Sequence, residues 1–212
     1  MEHVVAIFGA SGRTGRKVVA AVIARGWTAR VLVRKTCAFI GESPKLSVHY
    51  GTLDDAQAIR AVVASSDAVC CVFGPRSPYT EIFCAHGMEL ILDAMRSEGV
   101  RRLICQTGAM VGERLKNRTI WFEHLARAFE QRQPEAAEDR RRQEAVVRAS
   151  ETDWTIVKPP RLTDGKRTGR AWIGTDLRVG LLSKISRSDL AEVIVDEIDR
   201  PRHQSEAVFV LG

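Results

Sequence analysis

Short apolar runs rich in valine and isoleucine alternate with amphipathic stretches along most of this chain, and that alternation limits the available folds more than any other feature. The runs are His3–Phe8, Ala29–Val33, Leu46–Tyr50, Ala68–Phe73, Arg102–Gln106 and Trp154–Val157. They read as strands buried on both faces, as in a parallel sheet. Helical patterns fill the gaps at Arg13–Arg25, Asp54–Ala64, Tyr79–Ser97 and about residues 135–149. Gly26 and Gly99 fall just past two of them, where a left-handed residue ends a helix. Such alternation predicts an α/β fold, a doubly wound parallel sheet with helices on both faces.

The pattern loosens after the sixth run. Pro159-Pro160 ends that strand, because proline cannot donate to a ladder. A Gly- and Thr-rich segment follows, with a strand-like piece near Ala171–Ile173. A helix is expected over Ser188–Asp199, with Ser186 and Ser188 as cap candidates, and a last strand at Val208–Leu211. No repeat, linker or low-complexity tract interrupts the 212 residues. The chain therefore reads as one domain, 1–212, with its substrate side built from about 107–135 and 159–185.

Between the first strand and the first helix stands Gly9-Ala-Ser-Gly12-Arg-Thr-Gly15. Gly9 permits a tight turn, Gly12 lets backbone approach a pyrophosphate, and Gly15 lets the helix pack closely. The helix N-terminus would offer free N–H groups and a positive dipole end to phosphates, with Ser11 and Thr14 adding hydroxyl donors. The expectation is a dinucleotide on a Rossmann-like sheet. At the end of the second strand, an NAD site carries a carboxylate for the ribose hydroxyl and an NADP site carries arginine. Here the chain reads Val31-Leu-Val-Arg34-Lys35, with Arg13 available from the loop. Those cations favour NADP(H) over NAD(H).

Together GASGRTG, the VLVR strand end, Trp154-Thr-Ile-Val-Lys-Pro-Pro160, Leu162-Thr-Asp-Gly165 and Ile185-Ser-Arg-Ser-Asp-Leu-Ala191 resemble the atypical short-chain dehydrogenase/reductases. The likeness is to the NAD(P)H-binding, NmrA-like branch that includes biliverdin reductase B (flavin reductase), and it covers nearly the whole chain. It implies that Gly74, Pro75 and Arg76 line the middle of the cofactor, and that Pro159, Pro160 and Arg161 flank the nicotinamide with Thr107 close by. Near the adenine, where the family often has Gly-Asp, this chain reads Gly51-Thr52-Leu53-Asp54, which makes Leu53 and Asp54 the candidates.

Most short-chain reductases move a proton with a Tyr-xxx-Lys pair. This chain has only Tyr50 and Tyr79, neither followed by lysine four residues on. A reductase here would suit acceptors that stabilise added electrons themselves: flavins, quinones or conjugated tetrapyrroles. Thr107, His124, Arg140 and Arg161 are the candidate catalytic groups. Arg161 stands where biliverdin reductase B carries histidine, which suggests an anionic substrate or electrostatic orientation of the substrate. The run Glu138-Asp-Arg-Arg-Arg-Gln-Glu144 reads first as a solvated helix face. The alternative to an enzyme is a non-catalytic NADP(H)-binding redox sensor of the NmrA type.

The net charge of +6 permits nucleic-acid binding, but Lys and Arg are spread along the chain without an aromatic-interleaved stripe, so a small-molecule substrate is expected instead. The five cysteines include no CxxC pair, and Cys70, Cys71 and Cys105 sit in apolar runs. They read as buried thiols in a reducing compartment, not as a metal site. No apolar stretch reaches membrane-spanning length. The expectation is a cytoplasmic monomer or homodimer.

Overall fold

Eight strands form the central sheet in a computed structural model that describes residues 2–34, 43–75, 78–112 and 117–212. The elements run β1 (Val4–Phe8), α1 (Arg13–Ala24), β2 (Thr28–Val33), β3 (Leu46–Tyr50), α2 (Ala56–Val63), β4 (Ala68–Cys71), α3 (Cys84–Glu98) and β5 (Arg102–Gln106). They continue with α4 (Ile120–Arg132), α5 (Pro134–Ala149), β6 (Asp153–Lys158), β7 (Arg161–Thr163), β8 (Trp172–Gly174), β9 (Lys184–Ser186), α6 (Arg187–Asp199) and β10 (Glu206–Leu211). The strand order is β3-β2-β1-β4-β5-β6-β10-β8, parallel except where β8 pairs antiparallel with β10. β7 and β9 make a separate parallel pair.

The strands separate two apolar layers, as period-two side-chain alternation requires. Val5, Ile7, Val31, Cys70 and Ile104 pack toward α1 and α6. Ala6, Phe8, Leu32, Cys71 and Cys105 pack toward α2, α3 and α5. This is the doubly wound, Rossmann-like single domain that the alternation predicts. Strand order reverses between β1 and β4, and a crevice at the carboxyl ends of the strands opens at such a point.

Departures from the sequence expectation have local causes. The third helix begins at Cys84 rather than Tyr79, since Tyr79 adopts φ +67° and Asp139 of α5 caps the helix. One Asp139 carboxylate accepts the backbone N–H groups of Phe83, Cys84 and Ala85 at 2.8–3.2 Å. The first run after β5 contains an unforeseen helix, α4, capped by Thr119. Ser186 rather than Ser188 caps α6. The last strand is longer than expected and lies between β6 and β8.

Candidate functional site

The chain leaves β1 through Gly9 at φ +86°. A Cβ there would stand 2.8 Å from the Phe73 backbone nitrogen, so the loop can lie against the chain leaving β4 only with glycine in place. At Gly15 a Cβ would come within 2.1 Å of the Gly9 carbonyl oxygen, which ties the first turn of α1 to the loop. Gly12 opens α1, and its N–H donates to the Gly9 carbonyl at 3.0 Å. Among the described residues no side chain caps α1, and its first turn holds no acidic residue. Uncapped helix amides behind a loop without side-chain bulk fit a pyrophosphate.

Around this cradle, Ser11 is half-buried and Thr14 is buried. Arg34 is exposed just past β2. Arg13 is engaged elsewhere: it donates to Asp164 at 3.0 Å, and Arg187 donates to the other Asp164 oxygen at 2.7 Å. Lys35 and Arg76 lie outside the described residues. Leu53 packs on Gly87 of α3, while Asp54 is exposed. Gly74 and Pro75 are half-buried after β4, and Pro159 is buried after β6. Sheet order therefore sets Gly9, Gly74, Thr107 and Pro159 along one edge, each just past the carboxyl end of its strand.

Thr107 continues the β5 ladder by donating its N–H to Val157 at 2.9 Å. Its hydroxyl donates to Glu144 Oε1 of α5 at 2.6 Å. Lys158, the last residue of β6, donates to both Glu144 oxygens, at 2.6 and 2.8 Å, and to the Val111 carbonyl at 2.8 Å. Thr107, Glu144 and Lys158 are all buried. Burial pulls the Lys158 ammonium below the usual lysine value, against the opposing pull of Glu144. Removing one member would strand the other as a buried charge, at about 3–5 kcal/mol. Gly112, at φ +84°, closes over the pair: a Cβ there would lie 3.2 Å from Glu144 Oε2 and 3.3 Å from Lys158 Nζ. Gly112 also lines a cavity of about 510 Å³, together with Arg118, one side of α4 and Arg141 of α5.

Two expected catalytic groups are placed otherwise. Arg140 is buried, and its guanidinium donates to the carbonyls of Phe73 and Gln106, both at 3.1 Å, and to Gln143 Oε1 at 2.7 Å. It braces the ends of β4 and β5 from beneath Gly74. His124 is exposed on α4, and its ring meets Trp121 rather than Thr107. Phe122 is core, whereas Trp121 is exposed. Arg161 is exposed at the start of β7. The run read as a solvated face is half-buried instead: Asp139, Arg140, Gln143 and Glu144 all point inward. Glu144 and Lys158 were not foreseen. The one available signal was a lysine inside the apolar strand WTIVK.

A family model described as NAD(P)H-binding matches residues 9–201. Among solved structures, a wide-type short-chain dehydrogenase/reductase from Veillonella parvula in complex with NADP is 16% identical, with a TM-score of 0.84 over 100% of this chain and 95% of its own. ChuY of Escherichia coli O157:H7, named an anaerobillin reductase, is 18% identical, with a TM-score of 0.80 over 98% and 96%. A Burkholderia pseudomallei protein carrying an exported-protein designation is 25% identical, with a TM-score of 0.80 over 99% and 100%.

Proposed function

Since this chain belongs to the NAD(P)H-binding family, we propose that it is an NADPH-dependent oxidoreductase acting on a small conjugated or aromatic acceptor. The observation that carries the reading is the row of Gly9, Gly74, Thr107 and Pro159 along one sheet edge, beginning at the uncapped N-terminus of α1. Gly9, Gly12 and Gly15 would hold the pyrophosphate, with Ser11 and Thr14 beside it. Arg34 would meet the 2′-phosphate at the end of β2, and Lys35 stands next to it in sequence. Gly74, Pro75 and Pro159-Pro160 would flank the rest, with Leu53 and Asp54 toward the adenine. When bound, the nicotinamide supplies a hydride. Thr107 and the exposed Arg161 stand where an acceptor would be oriented, and Arg161 suits an anionic one.

Tyr50 ends β3 and Tyr79 packs edge-on against Phe129, so neither offers the usual tyrosine to Thr107. That favours acceptors that carry added electrons in a conjugated system. The name of ChuY, an anaerobillin reductase, supports the same class. The lack of a Tyr-xxx-Lys pair also favours a second reading, a non-catalytic NADP(H)-binding redox sensor. NADPH oxidation followed at 340 nm against flavins, quinones and linear tetrapyrroles separates the two. Turnover with at least one acceptor is expected; tight NADPH binding without any turnover sinks the reductase. The described cysteines are buried and unpaired, which supports a reducing cytoplasm as the protein's location.

A further inference from the structure

We propose that Lys158 and Glu144 form a proton reserve behind Thr107, which passes the proton to the acceptor. This rests on the reductase reading above. A hydride adds two electrons and one hydrogen to the acceptor and leaves it one proton short. A chain without the tyrosine-lysine pair takes that proton from solvent or from another side chain. Thr107 is the first residue past β5 on the edge that carries the site, and 2.6 Å separates its hydroxyl from Glu144 Oε1. Another 2.6 Å separates Glu144 Oε1 from Lys158 Nζ. Three groups in a buried line, each within a short hydrogen bond of the next, make a route for one proton.

The step balances as follows in atoms and charge. The Thr107 hydroxyl turns from Glu144 to the acceptor, and its O–H bond breaks as a bond from that proton to the anionic acceptor forms. In the same event a Lys158 N–H bond breaks, that proton passes to Glu144, and Glu144 gives a proton to the Thr107 oxygen. Glu144 ends as the carboxylate it began as, Lys158 ends neutral, and the acceptor is protonated. Solvent then recharges Lys158 through the cavity between α4 and α5. Among the described residues, Gly112, which carries no side chain, borders both that cavity and the pair.

The groups facing Lys158 come from three directions. Glu144 and Arg148 project from α5, with Arg148 3.8 Å from Glu144. Arg118 shares the Val111 carbonyl from the segment before α4, donating at 2.7 Å. Cys105 of β5 is close enough to feel both Glu144 and Lys158. Two arginines and burial all favour the neutral amine against a single carboxylate, which makes Lys158 a lysine able to release its proton.

The test uses the full chain with NADPH and whichever acceptor it reduces. Glu144→Gln with Lys158→Met removes both charges together, so no buried ion is left alone. Thr107→Val leaves the pair intact and guards against a double variant that fails to fold. Thr107→Ser restores the hydroxyl. The double variant and Thr107→Val should keep NADPH affinity, by cofactor fluorescence, and lose about 10²-fold in kcat with little change in KM, while Thr107→Ser recovers most of it. The basic limb of the kcat–pH profile should vanish in the double variant. Without any turnover, nitrogen-15 lysine spectra of the cofactor-free protein should show one side chain, absent in Lys158→Met, that titrates below the rest.

A double variant or Thr107→Val within twofold of wild-type kcat, with the same pH profile, overturns the relay alone. So does a Lys158 resonance that titrates with the surface lysines. A wild-type chain that binds NADPH but reduces no acceptor overturns the reductase reading and the relay with it.

Discussion

Arg13 and Arg34 illustrate how two cations near one glycine loop can differ. Arg13 is tied to Asp164, and through it to Arg187, whereas Arg34 stands exposed past β2 without an ion pair among the described residues. On the proposed function, the 2′-phosphate would be read mainly by Arg34. Arg34→Asp should weaken NADPH binding by about tenfold or more, the worth of one charge-assisted hydrogen bond, and spare NADH. Fluorescence titration with both cofactors checks this; equal loss of both would show that Arg34 does not read the phosphate. The glycine loop was legible because its requirements are local: a turn at Gly9, and close backbone at Gly15. Glu144 and Arg140 were not, because charged residues on a helix read as solvated. Their partners come from outside the helix, from Phe73 after β4, from β5 and from β6.

The segment between β7 and α6 is held by one carboxylate. Asp189, buried in the first turn of α6, accepts the backbone N–H groups of Thr168 and Gly169 and the hydroxyls of Thr168 and Ser186. Burial works to raise its pKa, but the hydrogen bonds from Ser186, Gly169 and Thr168 outweigh it and hold the carboxyl below 3.8. A folded-state pKa below the unfolded one gives stability that is present above the unfolded value and lost as pH falls through the folded one. The thermal midpoint should therefore drop as pH is lowered from about 5 to about 2, and Asp189→Asn should flatten that fall. A midpoint curve identical in both proteins would show that Asp189 does not clasp the segment. Elements with a strong internal pattern, such as β1, α1 and β5, were readable from sequence. The helix α4 was not, because the pattern of Ile120–Arg132 is divided: Phe122 and Ala126 turn inward while Ile120, Trp121 and Leu125 remain exposed.

Across the whole molecule, two apolar layers enclose the thiols. Cys70, Cys71, Cys84 and Cys105 are buried and free, and burial pushes Cys84 up to about 11 and Cys105 up to about 12. Thiolates are therefore scarce at neutral pH. At about pH 8 these four should react with a thiol reagent no faster than the chain unfolds, read by mass spectrometry of their peptides. Fast labelling of any of them in the native protein would contradict the burial.

The position of β10 has a consequence for how the molecule is made. The last strand in sequence is an inner strand of the sheet, parallel to β6 on one side and antiparallel to β8 on the other. While the chain emerges from the ribosome, β6 has an open hydrogen-bonding edge and β8 has no neighbour in the sheet. Exposed edges of this kind invite pairing with other chains. Closure waits for residues 206–211, so a product truncated before Glu206 would have the intact glycine loop and still expose a sticky strand. A chain truncated before Glu206 should therefore be less soluble than the full 212 residues, although the glycine loop is untouched.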